Sequence, residues 1–310
     1  MSDSHPVTAP LAVTGATGFV GQALLEQTCR QRIAVRALAR REQAPCEGVE
    51  WLRGDLADEE ALARLVKGAS AVLHIAGVVN TPDPMGFHVG NVAGTEALVE
   101  AARKAGVRRF IFVSSLSARE PGLSAYGRSK RHAEEVVQTS GLDWTIVRPP
   151  AIYGPRDREM LELFRAARWG VVPMPPPGRA SMIHVADLAR LLLALVPDSD
   201  LTRERIFEPD DGQDGGWSHR ELAKAIGTAV GRNVWVPHLP RRALLLAARI
   251  DRLLRDGRAK LTPDRVGYMA HPDWVCSPGR KPPAELWSAE VPTEQGLVET
   301  ARWYRAAGWL

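Results

Sequence analysis

Short apolar runs alternate with amphipathic stretches through the first half of the sequence. The runs have the length of buried strands, and the stretches between them have the periodicity of helices. We predict strands at Leu11–Thr14, 33–38, Val49–Arg53, 71–75, Arg109–Val113 and 144–147. We predict helices at 21–32, 59–67, 92–105 and 126–140. This alternation predicts an α/β fold, a doubly wound parallel sheet covered by helices on both faces.

The second half of the sequence is less regular. Residues 172–178 include four prolines, so they can form neither a helix nor a central strand. We predict a loop there that could cover a pocket. Ser218 and Glu221 form a capping box ahead of an apolar helix. Arg241–Arg255 is predicted to be a basic amphipathic helix.

Composition narrows the class of protein. The 310 residues are 45% hydrophobic and 25% charged, which excludes a disordered, collagen-like or coiled-coil protein. The net charge of +4 is small and not clustered as a nucleic-acid footprint should be, so we expect no nucleic-acid partner. Three scattered cysteines without zinc-type spacing predict neither a disulfide framework nor a metal site, and they fit a reducing compartment.

Two features bear on location. Residues 1–10 are polar and lack the apolar core of a signal peptide, so we interpret them as an N-terminal tail. The longest aliphatic runs are far too short to span a bilayer. We therefore expect a cytoplasmic protein.

Three glycines mark the turn between the first predicted strand and the first predicted helix. Gly15, Gly18 and Gly21 would let the backbone turn tightly, approach a diphosphate and pack the helix on the sheet. The N-terminus of that helix supplies free N–H groups and a partial positive charge for the anion. The glycines therefore predict a dinucleotide site, the alternative being a tight turn without a ligand.

The end of the second predicted strand bears on which dinucleotide binds. An acid there, about 20 residues after the first glycine, would bond the ribose 2′-hydroxyl of NAD. Arg40 and Arg41 stand there instead, and a guanidinium suits a 2′-phosphate. We predict NADP(H) over NAD(H). The alternative is that both arginines are solvated charges at a strand end.

Tyr126 and Lys130 lie four residues apart, on one face of a predicted helix. A nearby ammonium, together with an oxidised nicotinamide ring, would favour the phenolate and lower the tyrosine pKa from about 10. Tyr126 could then act as acid in carbonyl reduction and as base in alcohol oxidation. Ser114 and Ser115 end a predicted buried strand upstream, where a hydroxyl could hold a substrate oxygen.

These segments occur in the order typical of a known family. From residue 11 to about 190, the sequence resembles extended short-chain dehydrogenase/reductases of the NAD-dependent epimerase/dehydratase type. The segments that carry the resemblance are 14–21, 54–56, 75–77, Asn91, 114–115, 126–130, 148–155, 183–189, 296–297 and 300–304. The resemblance implies a Rossmann-type dinucleotide-binding domain at 11–170, to which strands and helices of the C-terminal half also contribute. It implies a mainly substrate-binding region at 171–310.

The resemblance also implies roles for the residues of the catalytic segment. Tyr126 would be the acid/base, and Lys130 would bond the nicotinamide ribose and lower the tyrosine pKa. Ser115 would be the catalytic hydroxyl, although Ser114 and Ser117 are close enough in sequence to be confused with it. A family homodimer, formed through two helices of each subunit, is expected by the same resemblance.

Further residues would bind the cofactor or the substrate. Asn91 would take part in a proton relay, although it could instead cap the following helix. Asp55 and Leu56 would flank the adenine, although Asp55 could instead be a turn residue. The other cofactor contacts implied are Thr17, Phe19, Val20, Ala76, Gly77, Pro149 and Ile152. The residues implied beside the substrate are Ser115, Leu116, Ser117, Val78, Ala151 and Arg156, the last of which could instead be solvated.

Three functions remain open. We favour hydride transfer between NADP(H) and a ketone or secondary alcohol of a mostly apolar small molecule. The alternatives are a nucleotide-sugar epimerase or dehydratase with retained NAD, and a non-catalytic scaffold or sensor. Leu116 and Ser117 stand where dehydratases of the family usually carry an acidic pair. The intact Ser115, Tyr126 and Lys130 oppose the scaffold.

The basic helix at 241–255 has two interpretations. It could touch an anionic membrane surface that supplies a lipid-like substrate. We favour the other interpretation, in which the helix covers the substrate-binding region and exposes its arginines to water, so that membrane contact is not expected.

Overall fold

A computed structural model describes residues 9–81, 83–255, 259 and 261–310. Residues 1–8 of the predicted polar tail lie outside this part of the chain. The central sheet has seven parallel strands in the order β10-β6-β5-β4-β1-β2-β3. These strands are β1 (Leu11–Thr14), β2 (Val35–Ala39), β3 (Val49–Arg53), β4 (Ala71–His74), β5 (Arg109–Val113), β6 (Asp143–Val147) and β10 (Arg205–Phe207). The predicted α/β sheet is thus confirmed.

Helices cover both faces of the sheet. The described α-helices are α1 (Phe19–Arg30), α2 (Glu59–Val66), α3 (Pro84–Phe87), α4 (Gly94–Lys104), α5 (Ala125–Gln138), α6 (Leu161–Arg168), α7 (Val185–Ala194), α8 (His219–Val230), α9 (Arg241–Arg255), α10 (Pro263–Met269) and α11 (Thr293–Ala306). Apolar side chains of α1 and α7 pack on one face of the sheet, and those of α2, α4 and α5 pack on the other. Because helices cover both faces, every residue of β1, β4 and β5 is buried, and all but Thr14, His74 and Arg109 are apolar.

The second half of the chain adds a smaller layer beside the sheet. Its short strands are β7 (Ala151–Tyr153), β8 (Arg179–Ala180), β9 (Met182–His184), β11 (Trp217–Ser218) and β12 (Asp273–Trp274). A separate apolar cluster joins α6, α8 and α11. Ser218 caps α8 with Glu221 in the predicted capping box. Among the described elements of this half, β10 joins the central sheet and α7 packs on one of its faces.

Three expectations from the sequence need correction. The helix predicted from residue 92 begins with a turn of π-helix at His88–Ala93, so Asn91 lies inside it and caps nothing. The proline-rich segment 172–178 is a loop, as predicted, but it pairs with residues 235–239 and lines no part of the large cavity described below. The helix α9 exposes large apolar side chains as well as its arginines.

Candidate active site

A cavity of about 1430 Å³ opens at the carboxyl ends of the central strands. Ligands of doubly wound sheets bind at this edge. Most of the residues singled out from the sequence line it: Gly15, Thr17, Gly18, Phe19, Val20, Gly21, Arg40, Asp55, Leu56, Ala76, Gly77, Val78, Ser115, Leu116, Ser117, Tyr126, Lys130, Pro149, Ala151, Ile152 and Arg156. Arg41 and Asn91 do not line the cavity.

The turn between β1 and α1 has the shape of a diphosphate cradle. Gly15 has φ of +77°, and a Cβ there would lie 2.5 Å from the backbone nitrogen of Ala76. A Cβ on Gly21 would collide with the carbonyl oxygen of Gly15. Gly18 begins α1 without a side-chain cap, so the first N–H groups of the helix remain available to an anion. The backbone therefore fits a dinucleotide.

The adenosine end of the cavity is bordered by Arg40 and Asp55. Arg40 is exposed immediately after β2 and lines the cavity, whereas Arg41 is exposed but does not line it. Asp55 accepts a hydrogen bond from the Ala57 amide at 2.9 Å, so it serves the turn as well as the lining. Arg40 thus brings a positive charge to this end of the cavity, and Asp55 brings a negative one.

Ser115 is the serine that reaches Tyr126. It begins a short 3₁₀-helix, accepts hydrogen bonds from the Ser117 amide at 3.2 Å and the Ser117 hydroxyl at 2.9 Å, and hydrogen-bonds the Tyr126 phenol. Ser114 instead donates to Glu134 at 2.5 Å, and that carboxylate is paired with the buried Arg148. The structure therefore separates the three candidate serines.

Lys130 is held beneath the cavity floor. Its ammonium donates to the carbonyl oxygen of Val113 at 2.8 Å and lies 4.6 Å from the centre of the Phe112 ring. Burial lowers the pKa of Lys130 to about 8, an effect that Glu134 partly opposes. The side chain is buried except where it lines the cavity.

Lys130 alone does not lower the pKa of Tyr126, contrary to the role that the resemblance implied for it, whereas a lowering by Lys130 together with an oxidised nicotinamide stays a prediction. Loss of water around Tyr126 raises its pKa to about 12, and the hydrogen bond from Ser115 offsets only part of that rise. Lys130 makes no direct bond to the phenol, because its ammonium is directed to Val113. Tyr126 is consequently protonated at neutral pH.

Asn91 anchors the segment that follows β4. Its amide oxygen accepts from the Val78 amide at 2.7 Å, and its nitrogen donates to the Val78 carbonyl at 3.0 Å and the Ser129 hydroxyl at 2.9 Å. Ser129 in turn donates to the Tyr126 carbonyl at 2.8 Å. Asn91 therefore links the cavity wall at Val78 to the helix that carries Tyr126.

A buried histidine, which the sequence did not single out, lies behind the same wall. His74 bonds Thr14 at 2.7 Å and Thr95 at 2.9 Å. Burial, and secondarily the charge of Lys130, lowers the pKa of His74 to about 3, so the ring is neutral. The sequence places His74 at the end of a predicted strand, but its hydrogen-bond partners lie on β1 and α4, so no local pattern indicates them.

The opposite end of the cavity is aromatic and comes from the C-terminal half. The rings of Tyr126 and Tyr268 are 6.2 Å apart, and Trp274 lies nearby in the lining. Arg158 stacks over Trp309 with 4.8 Å between its guanidinium carbon and the ring centre. Burial raises the pKa of Tyr268. The sequence analysis identified neither Tyr268 nor the tryptophans Trp274 and Trp309.

Charged side chains at this end are already engaged by protein. Arg265 of α10 pairs with Glu159, and Arg156 pairs with Glu26 at 2.6 Å. Asp264 of α10 accepts from the Ala125 amide at 2.6 Å, which joins α10 to the start of α5. Arg156 thus lines the cavity with its charge directed to α1. The surface left for a substrate is mainly apolar and aromatic.

Metal-ligating groups and membrane-spanning helices in the described part of the chain bear on other functions. The described residues contain no group of three or more His, Cys, Asp or Glu side chains arranged to hold a metal ion. Among the described helices, none is long and apolar enough to cross a membrane.

The cradle, the sheet order and the Ser115–Tyr126–Lys130 arrangement define a class of protein. A family model described as NAD(P)H-binding matches residues 15–199. The chain belongs to the extended short-chain dehydrogenase/reductase family of the NAD-dependent epimerase/dehydratase type.

Individual relatives cover nearly the whole chain. Ceramide reductase of Caulobacter vibrioides is 39% identical over 97% of this chain and 96% of its own length. The 2-alkyl-3-oxoalkanoate reductase of Stenotrophomonas maltophilia is 33% identical over 71% of this chain and 76% of its own. The solved structure of MoeE5 with UDP-glucuronic acid and NAD has a TM-score of 0.75, 22% identity, and coverage of 96% and 100%. The last of these shows a likeness of fold alone.

Proposed function

We propose that this protein is an NADP(H)-dependent reductase of a ketone in an amphiphilic, lipid-like molecule. The observation that carries the proposal is the position of the protonated Tyr126, which is hydrogen-bonded to Ser115. Tyr126 lies at the junction between the dinucleotide cradle and an aromatic chamber, the end of the cavity that Tyr268 and Trp274 line. The phenol holds the proton that a reduction needs, and Lys130 together with a bound cofactor would have to lower its pKa from about 12 towards neutral pH for Tyr126 to donate that proton readily.

The residues divide the reaction between them. A reduced nicotinamide, when bound, would supply a hydride to the carbonyl carbon. Ser115 would hold the carbonyl oxygen, because its own hydrogen is free to turn from Tyr126 once the substrate arrives. Tyr126 would donate its proton to that oxygen as it becomes an alcohol. Lys130 would bond the nicotinamide ribose and stabilise the phenolate left behind.

The preference for NADP(H) rests on Arg40. Its exposed guanidinium lies at the end of β2 and lines the cavity, where it could bind a 2′-phosphate. The turn residues Gly15, Gly18 and Gly21 would bind the diphosphate, and Leu56 would pack against the adenine. Asn91 would act as a positioning residue, because it fixes the Val78 wall and the start of α5.

An apolar substrate is supported by what surrounds Tyr126. The chamber presents Tyr268, Trp274 and Leu116, and no acidic pair stands at 116–117. Two relatives point the same way, because ceramide is a lipid and an alkyl-substituted oxoalkanoate carries apolar chains. The nucleotide-sugar alternative rests on a UDP-glucose 4-epimerase that is 25% identical over 74% of this chain and on neighbours that share the fold at 22–23% identity.

The discriminating experiment measures cofactor consumption on two substrate classes. We expect NADPH oxidation with an N-acyl-3-keto long-chain amine or a 2-alkyl-3-oxoacyl compound. We expect no epimerisation of UDP-glucose and no cofactor retained through purification. The proposal would be contradicted if the protein converted UDP-glucose without added cofactor and did not reduce either ketone.

A further inference from the structure

Helix α9 carries two separate apolar faces. The inner face is formed by Leu244 and Ala248, which are buried against Val266 of α10, with Leu239, Leu245 and Leu261 around them. This contact already attaches the helix to the protein. One such stripe is what an amphipathic surface helix ordinarily has.

The outer face of α9 has no partner among the described residues. Its side chains follow the helical spacing i, i+3, i+4, i+7, i+10 and i+11: Ala243, Leu246, Ala247, Ile250, Leu253 and Leu254. The exposed fractions are 59% for Leu246, 48% for Ile250, 85% for Leu253 and 79% for Leu254. A contiguous exposed patch of this kind marks an interaction surface.

The same helix is strongly basic. Arg241, Arg242, Arg249, Arg252 and Arg255 are all exposed. Asp251 is the only acid of the helix; it pairs with Arg255 at 3.3 Å and accepts from the Leu261 amide at 2.9 Å. Five positive charges against one negative charge leave a helix charge of +4. Any partner of the outer face must tolerate this charge.

We propose that the outer face of α9 docks on an anionic phospholipid bilayer, with the helix lying in the plane of the interface. Its leucines would enter the boundary between headgroups and acyl chains, and Arg242 and Arg249, which lie next to the outer face by helical spacing, would meet lipid phosphates. Attraction of these basic residues to an anionic surface adds to the insertion of the apolar side chains. Contact at the surface agrees with the lack of a membrane-crossing helix in the described chain.

Charge favours a bilayer over a second copy of this chain. A symmetric dimer through the outer face would bring two α9 helices together, each with a charge of +4. In a closed two-fold interface the same patch faces itself, so like charges would be juxtaposed. A surface of phosphates is complementary to both the arginines and the leucines.

The position of α9 relates the proposed docking to the cavity. The helix packs on α10, which contributes Arg265 and Tyr268 to the cavity lining and, through Asp264, bonds the Ala125 amide beside Tyr126. The substrate end of the cavity and the membrane-facing helix therefore belong to one structural unit. An amphiphilic ketone held in the bilayer would be close to the chamber that receives it. The docking itself is independent of the reaction.

Sedimentation with lipid vesicles tests the docking directly. The wild-type protein is expected to pellet with vesicles of equal parts phosphatidylcholine and phosphatidylglycerol, and weakly with phosphatidylcholine alone, with binding that falls as salt rises. Leu246→Gln/Ile250→Gln/Leu253→Gln should lower the partition coefficient at least about tenfold, because three apolar side chains are removed from the bilayer. Arg242→Gln/Arg249→Gln should lose only the preference for the anionic lipid.

A matched control comes from α11, another surface helix. Val298 and Arg302 are exposed there one turn apart, so Val298→Gln/Arg302→Gln removes an apolar and a basic group without touching α9. This variant should pellet like the wild type. Reduction of a short, water-soluble ketone by the triple α9 variant should equal that of the wild type, because α9 lines no part of the cavity.

Several results would overturn the docking. One is a wild-type protein that stays in the supernatant with anionic vesicles; another is a triple variant that pellets as well as the wild type. A wild-type dimer that the triple variant converts to a monomer, without vesicle binding, would assign the outer face to a second copy. None of these results depends on turnover, so the docking can fail while the proposed reductase function stands.

Discussion

The two ends of the cavity are built in different ways. The cofactor end is formed by the carboxyl ends of neighbouring parallel strands and by the turn at Gly15, Gly18 and Gly21. These segments belong to the N-terminal half of the chain. The substrate end joins side chains that are remote in sequence, such as Arg265 and Glu159, which are 106 residues apart. Backbone geometry fixes the first end, and side-chain packing between distant elements fixes the second. Changes of cofactor and changes of substrate should therefore be separable by mutation.

Titratable groups give a second contrast. At the cofactor end, burial lowers the pKa of the bases Lys130 and His74, to about 8 and about 3. At the substrate end, burial raises the pKa of the phenols Tyr126 and Tyr268. The same loss of water thus favours the neutral form at both ends. The phenol that we propose as catalytic, Tyr126, therefore keeps its proton when the site holds protein groups alone.

The largest expected effect lies at the junction of the two ends. Tyr126→Phe should lower turnover of the ketone by about 10²–10⁴-fold, the usual contribution of a general acid. NADPH binding should be unchanged, since the phenol group is all that is lost. Rapid-quench kinetics and fluorescence titration measure the two quantities. Normal turnover in this variant would remove Tyr126 from the chemistry.

The cofactor end is tested by neighbouring arginines. Arg40→Ala should weaken NADPH binding about tenfold or more, since a charge-assisted hydrogen bond contributes about 1.5–3 kcal/mol. NADH binding and the KM of the ketone should not change. Arg41→Ala is the matched control, because Arg41 is exposed but does not line the cavity. Equal losses in both variants, or no loss in either, would contradict a specific 2′-phosphate contact at Arg40.

The burial of Lys130 predicts how stability depends on pH. Its folded pKa of about 8 lies below the unfolded value of about 10.4, so between these limits the unfolded chain binds more protons. The contribution of Lys130 to the free energy of unfolding should therefore rise with pH, by on the order of 1–3 kcal/mol.

Urea unfolding at several pH values measures this contribution. The gain should disappear in Lys130→Met and persist in Lys104→Met, because the Lys104 side chain is 72% exposed. A constant difference between wild type and Lys130→Met from pH 8 to 10 would show that Lys130 has an ordinary pKa in the folded protein.

The smallest expected effect lies at the substrate end. Tyr268→Ala should raise the KM for a long-chain ketone about threefold to tenfold, since part of an apolar wall is lost. NADPH affinity should be unaffected. Trp169→Ala is a suitable control, because that ring is 88% exposed outside the cavity. A loss of NADPH binding in Tyr268→Ala would mean that the two ends are not separable.

Local signals explain how much could be predicted from sequence. The six strands predicted in the first half are present with ends within two residues, because buried parallel strands are continuous apolar runs. The cofactor turn was equally visible, because its glycines are required by φ at Gly15 and by close packing at Gly21. Ser115 was singled out because it follows a buried strand, and Tyr126 because it shares a helix face with Lys130.

The remainder depended on contacts that no local pattern encodes. Tyr268 and Trp309 join the cavity only after the C-terminal half has folded back on the sheet. Lys130 alone does not lower the pKa of Tyr126, because a four-residue spacing places Lys130 on the same helix face but does not direct its ammonium, which bonds the Val113 carbonyl. The second apolar face of α9 was obscured because alternating leucines and arginines do not show which stripe the protein buries.

Transfer of a labelled hydride from NADPH to a ketone tests the proposed reduction. NADPH deuterated at C4 is incubated with the protein and a long-chain ketone, and the product is analysed by mass spectrometry. We expect deuterium on the carbinol carbon, loss of this product in Tyr126→Phe, and slower transfer from deuterated NADH. Unlabelled product, or isomerisation of a nucleotide sugar with no net loss of label from the cofactor, would contradict it.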